Sequence, residues 1–411
     1  MKLKPIALFL GMGIVLQANA GVVKTEGEDI IVSTKNGGLQ LKTENGDFSF
    51  KVSGKLQWDI TSYDGLYGQS MPSADEKRDG QTSYIRRGEV KFSGKAYNTW
   101  KYALKLKNKD DTIKLDDAYI AYTGFKPINL KVGRWDLDFG LEDSTSSSWI
   151  TAIERPFIYN FMQGGDGNDY GVGVSSVAKN YTAQFTLMNM GYQEEDNDNM
   201  DTMGYSFRGT YAPIMNDDML VHLGFSLFDA NPDMGSASGS DRIGIKKGEK
   251  VDLFGDVSNV SGDTEYALEA AFQMQSLKLQ AEYLKREIDS KDANSDVELS
   301  GYYGEISYMI DGGKRSYKKG SFSKPKGGQW EVFARYTVMD VDAGSAVSEG
   351  LNGKDIEASS YTLGVNYFPT KNVRASMNYV TGQVDNHASI ENVANADDSG
   401  DALVGRIQYV F

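Results

Sequence analysis

The chain has 411 residues, a formal net charge of −14 and no cysteine. The absence of cysteine excludes disulfide frameworks, thiolate metal sites and cysteine nucleophiles, and the acidic balance argues against a nucleic-acid partner. With 45 Gly and 24 Tyr but only 8 Pro, the composition favours long strands joined by tight turns.

Residues 1–20 have the pattern of a segment that is removed rather than folded. Lys2 and Lys4 precede an apolar run over 6–16, and Ala18-Asn19-Ala20 is an A-x-A cleavage site. The run is too short for a membrane helix, which needs about twenty apolar residues. We therefore predict a signal peptide over 1–20, a periplasmic N-terminal segment over 21–47 and a folded domain over 48–411.

From residue 48 onward, apolar and polar side chains alternate in segments long enough for a tilted membrane strand. The first segment places Phe48, Phe50 and Val52 opposite Ser49 and Lys51. Sixteen such segments follow one another: 48–60, 84–96, 99–107, 113–123, 128–134, 169–177, 180–188, 203–211, 219–228, 265–275, 277–287, 299–310, 329–338, 358–368, 371–382 and 402–411.

The chain ends on the same alternation. Leu403, Ile407 and Tyr409 share one face of the last segment, and Arg406 and Gln408 share the other. Sixteen is an even count that suits a barrel with a water-filled channel, and a set of soluble β-sandwiches would not repeat so aromatic an outer face. The predicted fold is all-β, a transmembrane antiparallel β-barrel of 16 strands in the bacterial outer membrane.

The connections between these segments are either short or long. Short turns fall at 97–98, 125–127, 178–179, 212–218, 276 and 369–370. Long polar loops fall at 61–83, 135–168, 189–202, 229–264, 288–298, 311–328, 339–357 and 383–401. Outer-membrane barrels have short periplasmic turns and long external loops, so the long segments are all predicted to be external.

Loop 135–168 is unusually apolar for a solvent-exposed connection. It contains Trp149, Ile150, Phe157, Tyr159 and Phe161. The interpretation we favour is that it folds into the barrel as a constriction loop. The alternative is that it packs on a neighbouring loop or subunit.

Cations recur on the polar faces of several segments and would face the lumen of a barrel. These lumen cations are Lys51, Lys101 and Lys105. In the long loop, Arg242, Lys246 and Lys250 recur at even spacing, and in an extended chain they would project to one side. We predict that these three line a vestibule and draw anions inward.

An outer-membrane enzyme is the alternative from another functional class. Such enzymes need a histidine paired with serine or aspartate near the rim. The chain has two histidines, His222 inside a predicted strand and His387 in an acidic loop without a serine motif. The sequence therefore predicts no enzymatic activity, while a receptor role for the loops stays open.

Several stretches, taken together and in order, resemble the phosphate-selective outer-membrane porins (the porin O/P family) from about Gly21 to Phe411. The stretches that carry the resemblance are Tyr84-Ile85-Arg86-Arg87, Tyr122-Thr123-Gly124-Phe125, Asp138-Phe139-Gly140-Leu141-Glu142, Trp149-Ile150-Thr151-Ala152-Ile153-Glu154-Arg155, Ala281-Glu282-Tyr283-Leu284, Ser300-Gly301-Tyr302-Tyr303 and Asp398-Ser399-Gly400-Asp401.

The resemblance implies a homotrimer of sixteen-stranded barrels. For the chain itself we expect no cofactor, and we expect contact with outer-membrane lipid and lipopolysaccharide. The resemblance also implies a narrow eyelet in which phosphate exchanges its water for protein side chains. Carried onto this sequence, the eyelet residues are Lys55, Arg86, Arg87, Asp116, Ser146, Ser147 and Arg155.

The chain departs from the family pattern at several positions. Asp143 and Ser148 stand where lysines are expected, Glu89 where an aromatic residue is expected, and Gly244 where an arginine is expected. Fewer cations and more carboxylates should weaken anion attraction. The sequence thus predicts a passive channel for phosphate, polyphosphate or other small anions, and the alternative is a broad-specificity or weakly cation-leaning porin.

Overall fold

The computed structural model describes residues 21–23, 29–34, 37–68, 79–109, 112–162, 170–190, 202–232, 235–391 and 398–411. The predicted signal peptide lies outside the described residues. Within them the strands, numbered in chain order, are β1 Gly21–Val23, β2 Ile30–Ser33, β3 Gln40–Thr43, β4 Ser49–Tyr63, β5 Gly80–Ala96, β6 Trp100–Lys109, β7 Thr112–Tyr122, β8 Ile128–Arg134, β9 Tyr170–Val177, β10 Tyr181–Met190, β11 Thr202–Met215, β12 Met219–Ala230, β13 Gly235–Asp241, β14 Val251–Met274, β15 Leu277–Ser290, β16 Val297–Met309, β17 Lys314–Lys318, β18 Ser321–Lys326, β19 Trp330–Ala343, β20 Ile356–Tyr367, β21 Val373–Asp385 and β22 Ser399–Val410.

Sixteen of these strands, β4–β12, β14–β16 and β19–β22, form a closed antiparallel barrel. The last strand closes it on the first, with Val410 opposite Lys55 and Ala402 opposite Tyr63. The predicted all-β barrel of 16 strands is confirmed. Below the end of β22, β3 pairs with the start of β4, so the N-terminal strands extend the sheet at that edge.

The wall is apolar outside and polar inside, as the alternation predicts. On β22, Leu403 and Ile407 are 48% and 56% exposed, while Arg406 and Gln408 are 3% and 0% exposed. No helix in the described ranges is long and apolar enough to cross a membrane.

Several strands are longer than predicted because hairpins continue to pair beyond the expected segment. β14 begins at Val251 rather than at 265, and β11 ends at Met215 rather than at 211. The predicted turn 212–218 therefore shortens to the three residues 216–218.

The prediction that 311–328 is an external loop is wrong. Antiparallel strands alternate in direction, so the connection from β16 to β19 lies at the same end as the short turns. It contains the hairpin of β17 and β18, in which Lys314 pairs with Lys326.

Residues 135–162, which follow β8, pack against the inner wall. Phe157 and Ile158 are fully buried in one apolar cluster with the wall residues Leu284, Leu299 and Met339. The described part of the loop therefore packs on inward-facing side chains of the wall, and its role as a constriction loop stays a prediction.

Candidate functional site

Two adjacent arginines face the lumen because β5 contains a β-bulge. Successive strand residues normally point to opposite faces. Here the pairing of β4 with β5 shifts, so that Gln57 pairs with Arg87 and Trp58 pairs with Ile85. The extra residue, Arg86, therefore points inward beside Arg87.

Arg86 is part of a four-charge network with the loop. Its Nε and Nη2 donate to the two carboxylate oxygens of Glu154 at 2.7 and 2.8 Å. Arg406 of β22 donates to Glu154 at 2.8 Å and to both oxygens of Asp59 at 2.7 and 2.8 Å. Burial alone would raise the pKa of Glu154, but the two arginines hold it well below its usual range. The positive charges of the two arginines and the negative charges of the two carboxylates therefore cancel within this network.

Lys55 is also matched by a carboxylate. Its Nζ lies 2.6 Å from the Oγ of Ser147 and 3.0 Å from a carboxylate oxygen of Glu89. Arg87, in contrast, donates at 3.1 Å to the neutral side-chain oxygen of Gln57. Within the described residues, no carboxylate pairs with Arg87, so its charge is available to a passing anion.

A second bulge in the pairing of β6 with β7 brings Asp116 and Asp117 to the same inner face. The Nζ of Lys105 lies 2.6, 3.2 and 2.7 Å from carboxylate oxygens of Asp116, Asp117 and Asp136. Lys107 pairs with Asp116 as well. These three aspartates have the spacing of a metal site, but an ammonium already contacts all three. Asp116 is thus engaged by lysines rather than free to accept from phosphate.

The wall supports the loop mainly by donating hydrogen bonds to its backbone. An irregular segment leaves carbonyls unpaired, and these need partners when buried. Arg374 donates to the carbonyl of Ile150 at 2.7 Å, and Arg406 donates to that of Ile153 at 2.6 Å. Further wall donors to loop carbonyls are Gln57, Arg335, Asn366 and Gln408, and Arg315 of the β17–β18 hairpin donates to the carbonyl of Trp149.

The predicted loop residues lie near one another but differ in their partners. Arg155 lies 3.1 Å from a carboxylate oxygen of Asp143 and donates to that residue's carbonyl at 2.9 Å. Burial would lower the pKa of Arg155, but Asp143 and Glu142 outweigh it and raise it. Ser147 reaches Lys55, whereas the Oγ of Ser146 accepts from the backbone nitrogen of Ser148 at 3.4 Å.

The expectation that Arg242, Lys246 and Lys250 lie on an extended segment is wrong. Residues 242–250 are not extended, because Gly244 and Gly248 have φ of 99° and 123° and turn the chain. The Nε of Arg242 donates to the carbonyl of Gly248 at 2.6 Å and closes the turn. Lys246 and Lys250 are exposed, whereas Arg242 is half-buried.

The hairpin of β17 and β18 packs inside the barrel at the turn end. The hydroxyl of Tyr317 lies 2.6 Å from Nδ1 of His222 on β12, and Arg208 of β11 donates to the carbonyl of Gly320 at 2.8 Å. Phe322 is buried with Leu141 of the loop. The hairpin therefore touches the loop that enters from the opposite end.

The hairpin adds cations that the sequence interpretation missed. Lys319, at its turn, and Lys95 are the charged neighbours of the predicted lumen cation Lys101. Lys51, another predicted lumen cation, is half-buried on the inner face of β4. The alternation of strand direction is the signal that could have placed Lys319 at the turn end of the barrel.

Comparison with known proteins gives consistent matches. Residues 50–411 match the family model of phosphate-selective porin O and P. The chain is 34% identical to Porin O of Pseudomonas aeruginosa over 99% of this chain and 98% of that protein.

Solved structures agree on the fold. The anion-selective porin from Comamonas acidovorans superposes with a TM-score of 0.56 at 13% identity, covering 89% of this chain and 100% of that one. OmpT of Vibrio cholerae in its trimer form gives a TM-score of 0.54 at 12% identity, covering 89% and 99%.

Proposed function

The chain belongs to the phosphate-selective porin O and P family, and on this premise we propose that Arg86 and Arg87 form the core of a phosphate-selective eyelet. As a member of this family the protein is an anion-selective channel of the bacterial outer membrane and not an enzyme. The β5 bulge, which puts both guanidinium groups on one side of the lumen, carries the proposal.

Guanidinium groups suit phosphate because their paired N–H donors match two of its oxygens. Arg87 supplies an uncompensated charge, and Ser146, Ser147 and Arg155 lie on the loop segment that faces Lys55. A phosphate that sheds water there would exchange it for these donors. The loop 135–162, packed on the inner wall, would narrow the path at this level.

The second candidate is a broad-specificity porin with weak anion preference. It is favoured by the carboxylates that match most of the eyelet cations, since Glu89, Asp143 and Glu154 pair with Lys55, Arg155 and Arg86. Matched pairs attract either ion weakly. We expect phosphate preference to depend chiefly on Arg87.

The test is to titrate phosphate against chloride current through the purified channel in a planar bilayer. Block of the chloride current by phosphate, weakened in Arg87→Gln, supports the proposal. Lys285→Gln is the matched control, because Lys285 pairs with exposed carboxylates of Glu287 and Glu298 on the outer face. A phosphate block that is absent, or equal in Arg87→Gln, would favour the broad-specificity candidate.

The remaining assignments follow from the family. We propose a homotrimer that contacts outer-membrane lipid and lipopolysaccharide, exported with cleavage after Ala20 and with 21–47 in the periplasm. Exposed outer side chains such as Leu403 and Ile407 support the lipid contact, and the trimer form of the V. cholerae protein supports the assembly. Polyphosphate is an additional candidate solute, because Lys101 and Lys319 continue the positive path toward the turn end.

A further inference from the structure

One carboxylate of the wall, that of Glu282 on β15, accepts four hydrogen bonds. One of its oxygens accepts from the backbone nitrogen of Leu141 and from the hydroxyl of Tyr159 at 2.8 Å. The other accepts from the backbone nitrogen of Glu142 at 3.0 Å and from the hydroxyl of Tyr303 on β16. Three of the four donors belong to the loop that follows β8, so this carboxylate joins the loop to the wall.

The four donors are neutral, although the carboxylate is buried. Glu282 is 2% exposed, and in the described ranges no lysine or arginine forms an ion pair with it. A buried charge of this kind is costly unless hydrogen bonds replace its lost water. Glutamine could not take its place, because in either orientation the amide NH2 would face a backbone N–H, and two donors cannot pair. The contact therefore requires a carboxylate rather than an amide of the same shape.

The carboxylate holds both ends of the loop segment 141–159. Its donors include the first two backbone nitrogens of this segment and the side chain of its last residue. The middle of the segment contains Ser147 and Arg155, which belong to the proposed eyelet. Because both ends are tied to one point on β15, the segment cannot shift along the wall without breaking hydrogen bonds to a buried charge.

The position of Arg155 depends directly on the first of these ends. Its guanidinium donates to the carbonyls of Glu142, Asp143 and Thr145 at 3.4, 2.9 and 3.3 Å. The same short turn therefore presents its backbone nitrogens to Glu282 and its carbonyls to Arg155. A displacement of this turn would move the guanidinium with it.

Gly140 allows the carboxylate to approach the loop so closely. It has a φ of 69°, and a Cβ there would overlap the hydroxyl oxygen of Tyr159 and lie 2.8 Å from Oε1 of Glu282. Its nitrogen donates to the Oγ of Ser226 on β12 at 2.9 Å. A side chain at position 140 would therefore push the loop away from the carboxylate.

We propose that Glu282 is a positioning residue of the channel, which sets where Ser147 and Arg155 lie by tying both ends of segment 141–159 to β15. The inference rests on the proposed function, in which these two residues donate to phosphate. Glu282 acts through the loop and not on the anion. Its negative charge would repel phosphate, so loss of the charge alone strengthens phosphate binding, whereas loss of the support for the loop weakens it.

The test measures phosphate block of the chloride current in a planar bilayer. Glu282→Gln should weaken the block about tenfold, which corresponds to the loss of one hydrogen bond to a charged group in the eyelet. Glu269→Gln is the matched control. Glu269 lies directly opposite Glu282 on β14 and is similarly buried, but it bonds to Arg208, His222 and Ser226 of the wall. The control should leave the block unchanged or strengthen it.

A second pair of variants keeps every charge. Tyr159→Phe and Tyr303→Phe each remove one hydroxyl from the same carboxylate, but Tyr159 belongs to the loop and Tyr303 to the wall. We expect only Tyr159→Phe to weaken the phosphate block and to broaden the distribution of single-channel conductance. Equal effects of the two variants would show that the carboxylate only stabilises the barrel, and this would overturn the proposal.

The outcomes separate this proposal from that of the eyelet. If Arg87→Gln weakens the phosphate block but Glu282→Gln and Tyr159→Phe do not, Glu282 is not a positioning residue and the eyelet proposal stands. If Glu282→Gln does not fold, the comparison of the two tyrosine variants decides. If phosphate blocks nothing in wild type, both proposals fail.

Discussion

Replacing Glu89 with glutamine should convert Lys55 from a matched to an unmatched cation. The carboxylate lies 3.0 Å from the ammonium, and both side chains are mostly buried, at 15% and 13% exposure. Glutamine keeps the size and the hydrogen-bonding capacity, so the change is chiefly one of charge. We expect Glu89→Gln to bind phosphate more tightly and to favour anions more strongly.

The size of the effect follows from the distance. An anion seated on Lys55 would lie about 5 Å from the Glu89 carboxylate, where two unit charges interact by roughly 3 kcal/mol at an effective dielectric constant of about 20. Pore water and the cost of ordering the side chains reduce this to about 1 kcal/mol. That corresponds to about a fivefold gain in phosphate affinity.

The assay is the reversal potential in asymmetric KCl together with phosphate block of the chloride current. Glu287→Gln is the control, because it removes the same charge from the outer face, where Glu287 is 48% exposed and pairs with Lys285. An unchanged reversal potential in Glu89→Gln, or a shift toward potassium, would refute the reasoning that Glu89 neutralises Lys55.

Three other changes test separate parts of the structure. Asp59→Asn should destabilise the barrel by about 3 kcal/mol, since it leaves buried Arg406 with Glu154 as its remaining carboxylate partner. The loss would be measured as a lower unfolding temperature by heat-dependent gel mobility, and equal temperatures would contradict it. Gly320→Val should push the hairpin out of the lumen and raise single-channel conductance, because a Cβ at Gly320 would lie 2.7 Å from Thr210 Oγ1 at a φ of 74°. Burial raises the pKa of Asp241 to about 6 from its ordinary value of 3.8, so its contribution to stability is fully present below pH 3.8 and is lost as pH rises through 6. The hydrogen-exchange protection factors of 235–250, which are corrected for the intrinsic exchange rate, should fall between pH 4.5 and 7.5, and Asp241→Asn should remove that fall.

The barrel could be predicted because apolar and polar residues alternate along each wall strand and so mark its outer and inner faces. Each of the sixteen predicted segments overlaps a barrel strand, and Arg406 lies on the inner face of β22 as its alternation indicates. The sequence interpretation places 311–328 outside because the segment is as long and polar as an external loop. Strand direction, which alternates along the chain, places this segment at the turn end.

The pairing of charges in the site could not be predicted from the sequence. Arg86 and Glu154 are 68 residues apart, and Lys105 contacts Asp136 across 31 residues. Which carboxylate reaches which cation depends on how the loop lies in the barrel. The bulges at Arg86 and Asp116 could not be predicted from the sequence either, because an inserted residue has no signature within a short polar run.

The β5 bulge has a consequence for how such a channel can change over evolutionary time. A regular strand offers one inward side chain per two residues, or about 7 Å of wall, so substitution alone cannot place two charges side by side on one strand. An insertion of one residue does so at once, and a deletion at Arg86 reverses it while restoring ordinary pairing beyond the bulge. Gain or loss of the adjacent arginine pair in such barrels should therefore be recorded as single-codon insertions and deletions in β5, whereas substitutions in β5 change only how each charge is matched.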